Sequence, residues 1–165
     1  MPALVRPASA GDAEAIAGIF AHYVETSVAT FEEIPPGPEH WRGRLAELAG
    51  HGLPVLVAET DGTVAGFAYA SPWRPKPAYR HTVEDTVYLA PASRGQGLGR
   101  LLLEALLEAC GAAGVRQVIA VIADTGDPAS ERLHRACGFT DAGLLREVGR
   151  KHGRWIDTLL LQRTR

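Results

Sequence analysis

The amino-acid sequence predicts an α/β protein with a mixed, mostly antiparallel central sheet of about six or seven strands and helices on both of its faces. Three observations carry this. "PVLVAET" and "TVAGFAYASPW" are extended runs joined by Asp61 and Gly62, a dipeptide favoured in tight hairpins. "RQVIAVIAD", residues 116–124, is a continuous apolar run, the pattern of a strand covered on both faces. Between them the strand-like "HTVEDTVYLA" passes through a glycine-rich turn into a helix. There Leu98, Leu101, Leu102, Ala105, Leu106, Ala109 and Cys110 form one stripe at three-and-four spacing.

The remaining elements follow in order. "LVRPA" reads as a first strand, and Ser9 with Asp12 three residues on resembles a capping box for the next helix. Ala13, Ile16, Ala17, Phe20 and Val24 share one face of that helix. Residues 26–38, "TSVATFEEIPPGP", are too rich in proline for helix or central strand and read as a loop. A second helix covers "EHWRGRLAELAG" and ends at its glycine. A stiff, cationic "RPKPAYR" precedes the third strand run. "PASERLHRACG" reads as a short helix, and "FTDAGLLREVG" and "RWIDTLLLQR" as two strands linked through "RKHG". There is no repeat or linker, so residues 1–165 read as one domain.

Composition narrows the function. Of 165 residues 46% are hydrophobic, enough for one sizeable core. Lys and Arg number 17 against 19 Asp and Glu, a net charge of -2, so no global basic field exists to hold nucleic acid. Cys110 and Cys137 are too few for a disulfide framework or a four-ligand metal site and read as buried thiols, with no metal expected. The N-terminus lacks a cationic start followed by an apolar core, and no apolar run is long enough to cross a bilayer. The expectation is a soluble cytoplasmic protein with no membrane partner.

The chemistry is concentrated in "SRGQGLGRLLLEALLEA", where Gly95, Gly97 and Gly99 stand at every second position ahead of the helix. Strand, glycine turn and helix together make an anion site, because free backbone N–H groups converge there and the helix macrodipole favours negative charge. No Lys-Ser or Lys-Thr pair follows, so the turn is not a Walker loop, and its spacing departs from the dinucleotide fingerprint. "RGQGLG" does fit R/Q-x-x-G-x-G/A, with Arg94, Gly97 and Gly99 in the fixed places. In this setting the motif resembles the acetyl-CoA pyrophosphate loop of the GNAT superfamily of N-acetyltransferases. "TFE" (30–32), "WRPK" (73–76), "YRHTVEDTVYL" (79–89), "DPASERLHRACGF" (127–139) and "GRKHGRWID" (149–157) extend the resemblance over nearly the whole chain, to the phosphinothricin and methionine sulfoximine N-acetyltransferase branch.

The resemblance implies a GNAT fold and acetyl-CoA as cosubstrate. It places the pantetheine arm along Val87, Tyr88 and Leu89, and the diphosphate on the turn formed by Arg94, Gly95, Gln96, Gly97, Leu98, Gly99 and Arg100. A free N–H near Leu89 would serve as oxyanion donor. It implies Glu84 as general base, acting directly or through water; without the surrounding motifs Glu84 would read as a strand-surface carboxylate. His134 stands where many relatives carry a tyrosine, and would protonate the departing thiolate or help take the amine proton. Asp127 and Ser130 are implied in coenzyme binding. Asp127 occupies the place of an asparagine that holds the pantetheine arm, and a carboxylate cannot donate to a carbonyl; it either alters coenzyme affinity or caps the following helix.

For the acceptor, "WRPKPAYR" gathers Arg74, Lys76 and Arg80 on a proline-stiffened segment, and the resemblance implies a pocket lined by Arg74, Arg80 and Thr82, with Phe31 and Glu32 closing over it. A cationic rim suits an acceptor carrying a carboxylate. The expected acceptor is thus the α-amine of a small amino acid analogue such as phosphinothricin, methionine sulfoximine or methionine sulfone. A protein N-terminus or a polyamine is the alternative within enzymes, and a non-catalytic acetyl-CoA sensor the alternative outside them. The branch also implies a homodimer, with the segment "GRKHGRW" near the subunit interface.

Overall fold

The computed structural model describes residues 2–165. In chain order the elements are β1 (Leu4–Pro7), α1 (Ala13–Thr26), α2 (Pro38–Gly50), β2 (Val55–Thr60), β3 (Thr63–Pro72), β4 (Thr82–Leu89), α3 (Leu98–Ala112), β5 (Gln117–Ala123), α4 (Ala129–Ala136), β6 (Thr140–Lys151) and β7 (Arg154–Thr164). The seven strands form one sheet in the order β1-β2-β3-β4-β5-β7-β6. Every neighbouring pair is antiparallel except β4 and β5. A parallel pair needs a long crossover, which α3 supplies.

Local signals explain the connections. Asp61 and Gly62 (φ 50° and 76°) turn β2 into β3, and His152 with Gly153 (φ 49° and 74°) turns β6 into β7. Both are two-residue hairpins with the left-handed central pair that matches strand twist. The Ser9 N–H donates to Asp12 Oδ2 at 2.8 Å, but this bond closes a separate one-turn helix over Ala10–Asp12 rather than capping α1 itself. Arg6 grips the same carboxylate at 2.8 and 2.9 Å.

The core lies on both faces of the sheet. On one, Leu102, Leu103, Leu106, Leu107 and Cys110 of α3 cover Ala68, Ala70, Val83, Val118 and Leu161. On the other, Ile16, Phe20 and Val24 of α1 and Trp41 of α2 cover Val57 and Phe67. Each fully buried leucine or phenylalanine contributes on the order of 1.5–3 kcal/mol. The buried stripe of α3 differs from the expected one at Leu101, which is 41% exposed, while Leu103 and Leu107 take its place against the sheet.

One irregularity positions everything that follows. β4 and β5 pair at only three positions, Thr82 with Gln117, Val83 with Val118 and Glu84 with Ile119, and then part. The run 116–124 was expected to be covered along its length. Val118, Ile119 and Ala120 are buried, but Val121 is 37% exposed, because the second half of β5, still paired with β7, borders an opening on the side where β4 has left it.

Candidate active site

The parting of β4 and β5 opens a cavity of about 720 Å³, bounded by residues 84–89 on one side and 120–123 on the other. Ladder parity fixes what the β4 backbone offers it. The Trp73 N–H donates to the Thr82 carbonyl at 3.2 Å, and the Ala90 N–H to the Ala65 carbonyl at 2.8 Å. Even-numbered residues of β4 therefore turn their main-chain groups toward β3, and Asp85, Val87 and Leu89 turn theirs toward β5. Beyond Glu84 no strand meets them. The N–H and C=O of Val87 and the N–H of Leu89 thus face the opening, while the Leu89 carbonyl accepts from the Tyr23 hydroxyl of α1.

At the wide end of this opening stands the glycine turn. Gly95 (φ 76°) and Gly97 (φ 81°) are left-handed, and Gly97 precedes the first residue of α3. The first intrahelical bond runs from the Leu101 N–H to the Gly97 carbonyl at 3.2 Å, so the N–H groups of Leu98, Gly99 and Arg100 have no partner within the helix, and no side chain caps them. Gly99 serves a different need. A Cβ there would sit 3.3 Å from Leu133 Cδ2 and 3.6 Å from Leu89 Cδ1, so its absence lets α3 close onto α4 and the end of β4. Two glycines set handedness and one sets spacing.

Strand alternation sends Glu84 and Asp85 to opposite faces. Glu84 shares its face with Thr86 and Tyr88, toward α1 and the loop before α2. Burial, with the neighbouring charge of Asp85, raises its carboxyl above the ordinary value, and Arg44 partly opposes this. Arg44 itself lies over the Tyr69 ring, 5.8 Å from its centre, and lines a smaller adjoining cavity that shares Phe20, Glu32 and Tyr69 with the main one.

Asp85 turns the other way and meets His134 of α4 at 2.7 Å, with side-chain exposures of 1% and 6%. The other ring nitrogen, Nδ1, donates to the Ser130 carbonyl at 2.7 Å. Burial, the strongest single influence on His134, pushes its pKa down. The hydrogen bond and charge of Asp85, with the Ser130 carbonyl, outweigh it and hold the imidazole above the ordinary histidine value. Both ring nitrogens are thereby committed within the protein. The second Asp85 oxygen, Oδ1, has no partner.

The cavity gathers most of the sequence-derived residues: Glu84, His134, Val87, Tyr88, Leu89, Arg94, Gly99, Asp127, Ser130, Phe31 and Glu32 all line it. Gly95, Gln96, Gly97, Leu98 and Arg100 form the turn at its end. Arg74, Lys76, Arg80 and Thr82 are not among its lining residues. The Arg74 guanidinium lies over the Trp73 ring at 5.2 Å and Arg80 donates to the Pro77 carbonyl at 3.1 Å, so the β3–β4 connection folds both arginines onto itself. Asp127 Oδ1 accepts the Ala129 N–H at 3.0 Å, the helix-start role that its position allowed.

Several cavity residues carried no local signal in the sequence. Tyr23 and Arg44 lie on helices whose other residues suffice for the amphipathic pattern, and Tyr69 reads as an ordinary strand aromatic. Lys151, 5% exposed, donates to the Thr30 carbonyl at 2.8 Å and ties the loop carrying Phe31 to the β6–β7 hairpin. Among the described residues no group of three or more His, Cys, Asp or Glu could hold a metal ion, and no helix is long and apolar enough to cross a membrane.

Residues 17–139 match the acetyltransferase (GNAT) family. The chain belongs to that family. It is 52% identical to a phosphinothricin N-acetyltransferase of Alcaligenes faecalis, over 96% of this chain and 81% of that one. It is 37% identical to an L-methionine sulfoximine/L-methionine sulfone acetyltransferase of Pseudomonas paraeruginosa, over 98% of this chain and 94% of that one. A crystal structure of a GNAT superfamily phosphinothricin acetyltransferase from Sinorhizobium meliloti, in complex with AcCoA, superposes with a TM-score of 0.95 at 45% identity, covering 99% of this chain and 89% of that one. The fold expected from the sequence is thus the fold of the family.

Proposed function

We propose that this GNAT protein transfers the acetyl group of acetyl-CoA directly to the α-amine of a small amino acid analogue, such as phosphinothricin, methionine sulfoximine or methionine sulfone. One observation carries the reading: a half-buried carboxylate of raised pKa, Glu84, stands where β4 leaves β5, beside open main-chain groups that lead to the uncapped start of α3. The cavity fits acetyl-CoA, because the turn supplies unpartnered N–H groups for a diphosphate and Val87 supplies an unpaired donor and acceptor for the amides of the arm.

Acetyl-CoA supplies the activated acyl group; the chain supplies its placement. The N–H groups of Leu98, Gly99 and Arg100 fix the phosphates, and the Val87 backbone holds the arm as a strand would. Such positioning is the largest contribution available, on the order of 7–11 kcal/mol. Glu84 removes the surplus proton from the acceptor ammonium, for which a carboxyl with its pKa raised by burial is better matched than an exposed one. The Leu89 N–H donates to the thioester oxygen as charge develops there. We assign His134 to holding α4 against β4 through Asp85, since neither of its ring nitrogens is free to exchange a proton with substrate.

Phe31 and Glu32 bound the acceptor end, and Arg44 is the cation whose charge acts on Glu84 there. Arg74 and Arg80 stand at the start of β4, with Thr82 two residues, about 7 Å, from Glu84. Incubation with each of the three analogues and a thiol reagent tests the assignment: CoA release is expected. Release only with a polyamine or a peptide N-terminus overturns the acceptor class, and coenzyme binding without release on any amine favours a sensor. Arg44→Ala against Arg74→Ala then separates the two sources of positive charge, since the true one raises acceptor KM and leaves acetyl-CoA KM alone.

A homodimer is part of the proposal. The outer strand β6 leaves Leu144, Leu145 and Val148 exposed, and Trp155 beside it is 59% exposed under the Arg150 guanidinium. Such an apolar edge suits a second copy of the chain. Light scattering after size exclusion gives the mass directly, and a monomer at all concentrations refutes it.

A further inference from the structure

The opening between β4 and β5 is bridged at its outer end. Arg94, just before the glycine turn on the β4 side, places Nη2 2.8 Å from Oδ2 of Asp127, which begins the segment leading to α4 on the β5 side. Both residues line the cavity, and the strands behind them have not paired since Glu84. The ion pair therefore lies across the mouth of the slot that the proposed function assigns to the coenzyme.

The two halves of this bridge are unequally held. Asp127 is fixed by its own segment: its Oδ1 accepts the Ala129 N–H at 3.0 Å, and its N–H donates to Thr125 Oγ1 at 3.1 Å. Arg94 makes no other side-chain hydrogen bond among the described residues. The hydrogen bond from Arg94, with that from the Ala129 backbone, keeps the Asp127 carboxyl below the usual carboxylate range, so the bridge stays charged at working pH. Both side chains are about half exposed, 50% and 52%, so solvent screens the pair and it is held weakly. It opens easily, and the arginine is the half that moves. The other arginine of the turn, Arg100, is paired with Glu104 at 2.7 Å one turn along its own helix and bridges nothing.

We propose that Arg94–Asp127 is a clasp across the coenzyme slot, opened when the diphosphate takes Arg94 in exchange for Asp127. Asp127 then acts against binding: it competes with the phosphates for Arg94, and it recovers that arginine when the product leaves. It is an affinity-setting residue that hastens release of CoA. The inference rests on the slot assignment made above, and extends it from where the coenzyme lies to what must be displaced for it to enter.

Calorimetric titration of CoA and of inorganic pyrophosphate into four folded proteins tests it: wild type, Asp127→Ser, Arg94→Gln and the double variant. Serine keeps an acceptor for the Ala129 N–H and removes the charge. Asp127→Asn, which keeps the shape, is a second variant should serine disturb the segment. Asp127→Ser is expected to tighten both CoA and pyrophosphate about 3- to 10-fold, the scale of an exposed pair and the lost repulsion. Arg94→Gln is expected to weaken CoA more in the Asp127→Ser background than in the wild type, because there the arginine is fully available. Unchanged or weaker CoA binding by Asp127→Ser overturns the clasp. So does an Arg94→Gln effect equal in both backgrounds, which reports a distant charge and no exchange, or a gain for CoA without one for pyrophosphate, which places the effect on the pantetheine arm. Failure of the wild type to bind CoA at all overturns the slot assignment itself, and is distinguished by its independence of either substitution.

Discussion

The Asp85–His134 pair allows a prediction with a definite sign. Its side chains are almost wholly shielded, at 1% and 6% exposure, so solvent does not screen the loss of one member. In Asp85→Asn the shape is kept and the anion removed. His134, held above its ordinary value of 6.5 in the wild type, is then governed by burial and falls below it. A histidine raised in the folded state contributes stability that is present below 6.5 and is lost as pH rises through the folded value; one that is depressed loses stability as pH falls below 6.5. Wild type and variant therefore respond to pH in opposite directions across this window. At pH ~5.5, where the imidazolium would be stranded, the cost is about 3–5 kcal/mol. At alkaline pH above the wild-type folded value, where the imidazole is neutral in both proteins, it is smaller, about 1 kcal/mol. At roughly 2–4 °C per kcal/mol for a chain of this size, the Tm gap is about 6–20 °C at the acid end and about 2–4 °C at the alkaline end. Thermal unfolding of both proteins over this range measures it. A gap that stays constant with pH refutes the charged pair.

Glu84→Gln is expected to lower kcat about 100- to 10,000-fold near neutral pH, with smaller losses at alkaline pH, where the acceptor amine has already shed its surplus proton. Steady-state rates across pH measure this, and a variant whose rates match the wild type throughout would remove Glu84 from the base role. Gly97→Ala places a side chain at φ 81°, a strain of about 1–2 kcal/mol, and should raise acetyl-CoA KM more than acceptor KM; steady-state kinetics with each substrate varied decide this. Gly149→Ala would drive a methyl group into the Phe31 ring and displace the loop at the acceptor end, raising acceptor KM while calorimetric CoA affinity holds.

What could be read in advance was local. The hairpins followed from Asp61–Gly62 and the "RKHG" link, and α1 from five apolar positions that are all buried. The turn at 94–100 was legible because its function and its backbone need the same residues. The opening between β4 and β5 was not, since an apolar run looks alike whether its flank is a strand or a cavity. Nor was the Asp85–His134 pair, whose members are 49 positions apart; alternation alone would have shown only that Asp85 faces away from Glu84. The placement of Arg74 and Arg80 was not legible for a related reason: charge is written in the chain, but whether a guanidinium reaches into a cavity or lies on its neighbour's ring depends on a loop that proline stiffens without aiming.

The short seam between β4 and β5 has an energetic corollary. With three residue pairs joining them directly, the two flanks of the sheet share only a short ladder, and hydrogen-bonding capacity is left over on the Val87 backbone. A guest that satisfies those groups splices the two flanks, and mass action then makes thermal resistance a function of how full the gap is, by about 2.7 kcal/mol at a hundredfold excess over Kd. Depletion of the thioester would leave the protein not only idle but easier to unfold, so that turnover and survival draw on the same pool.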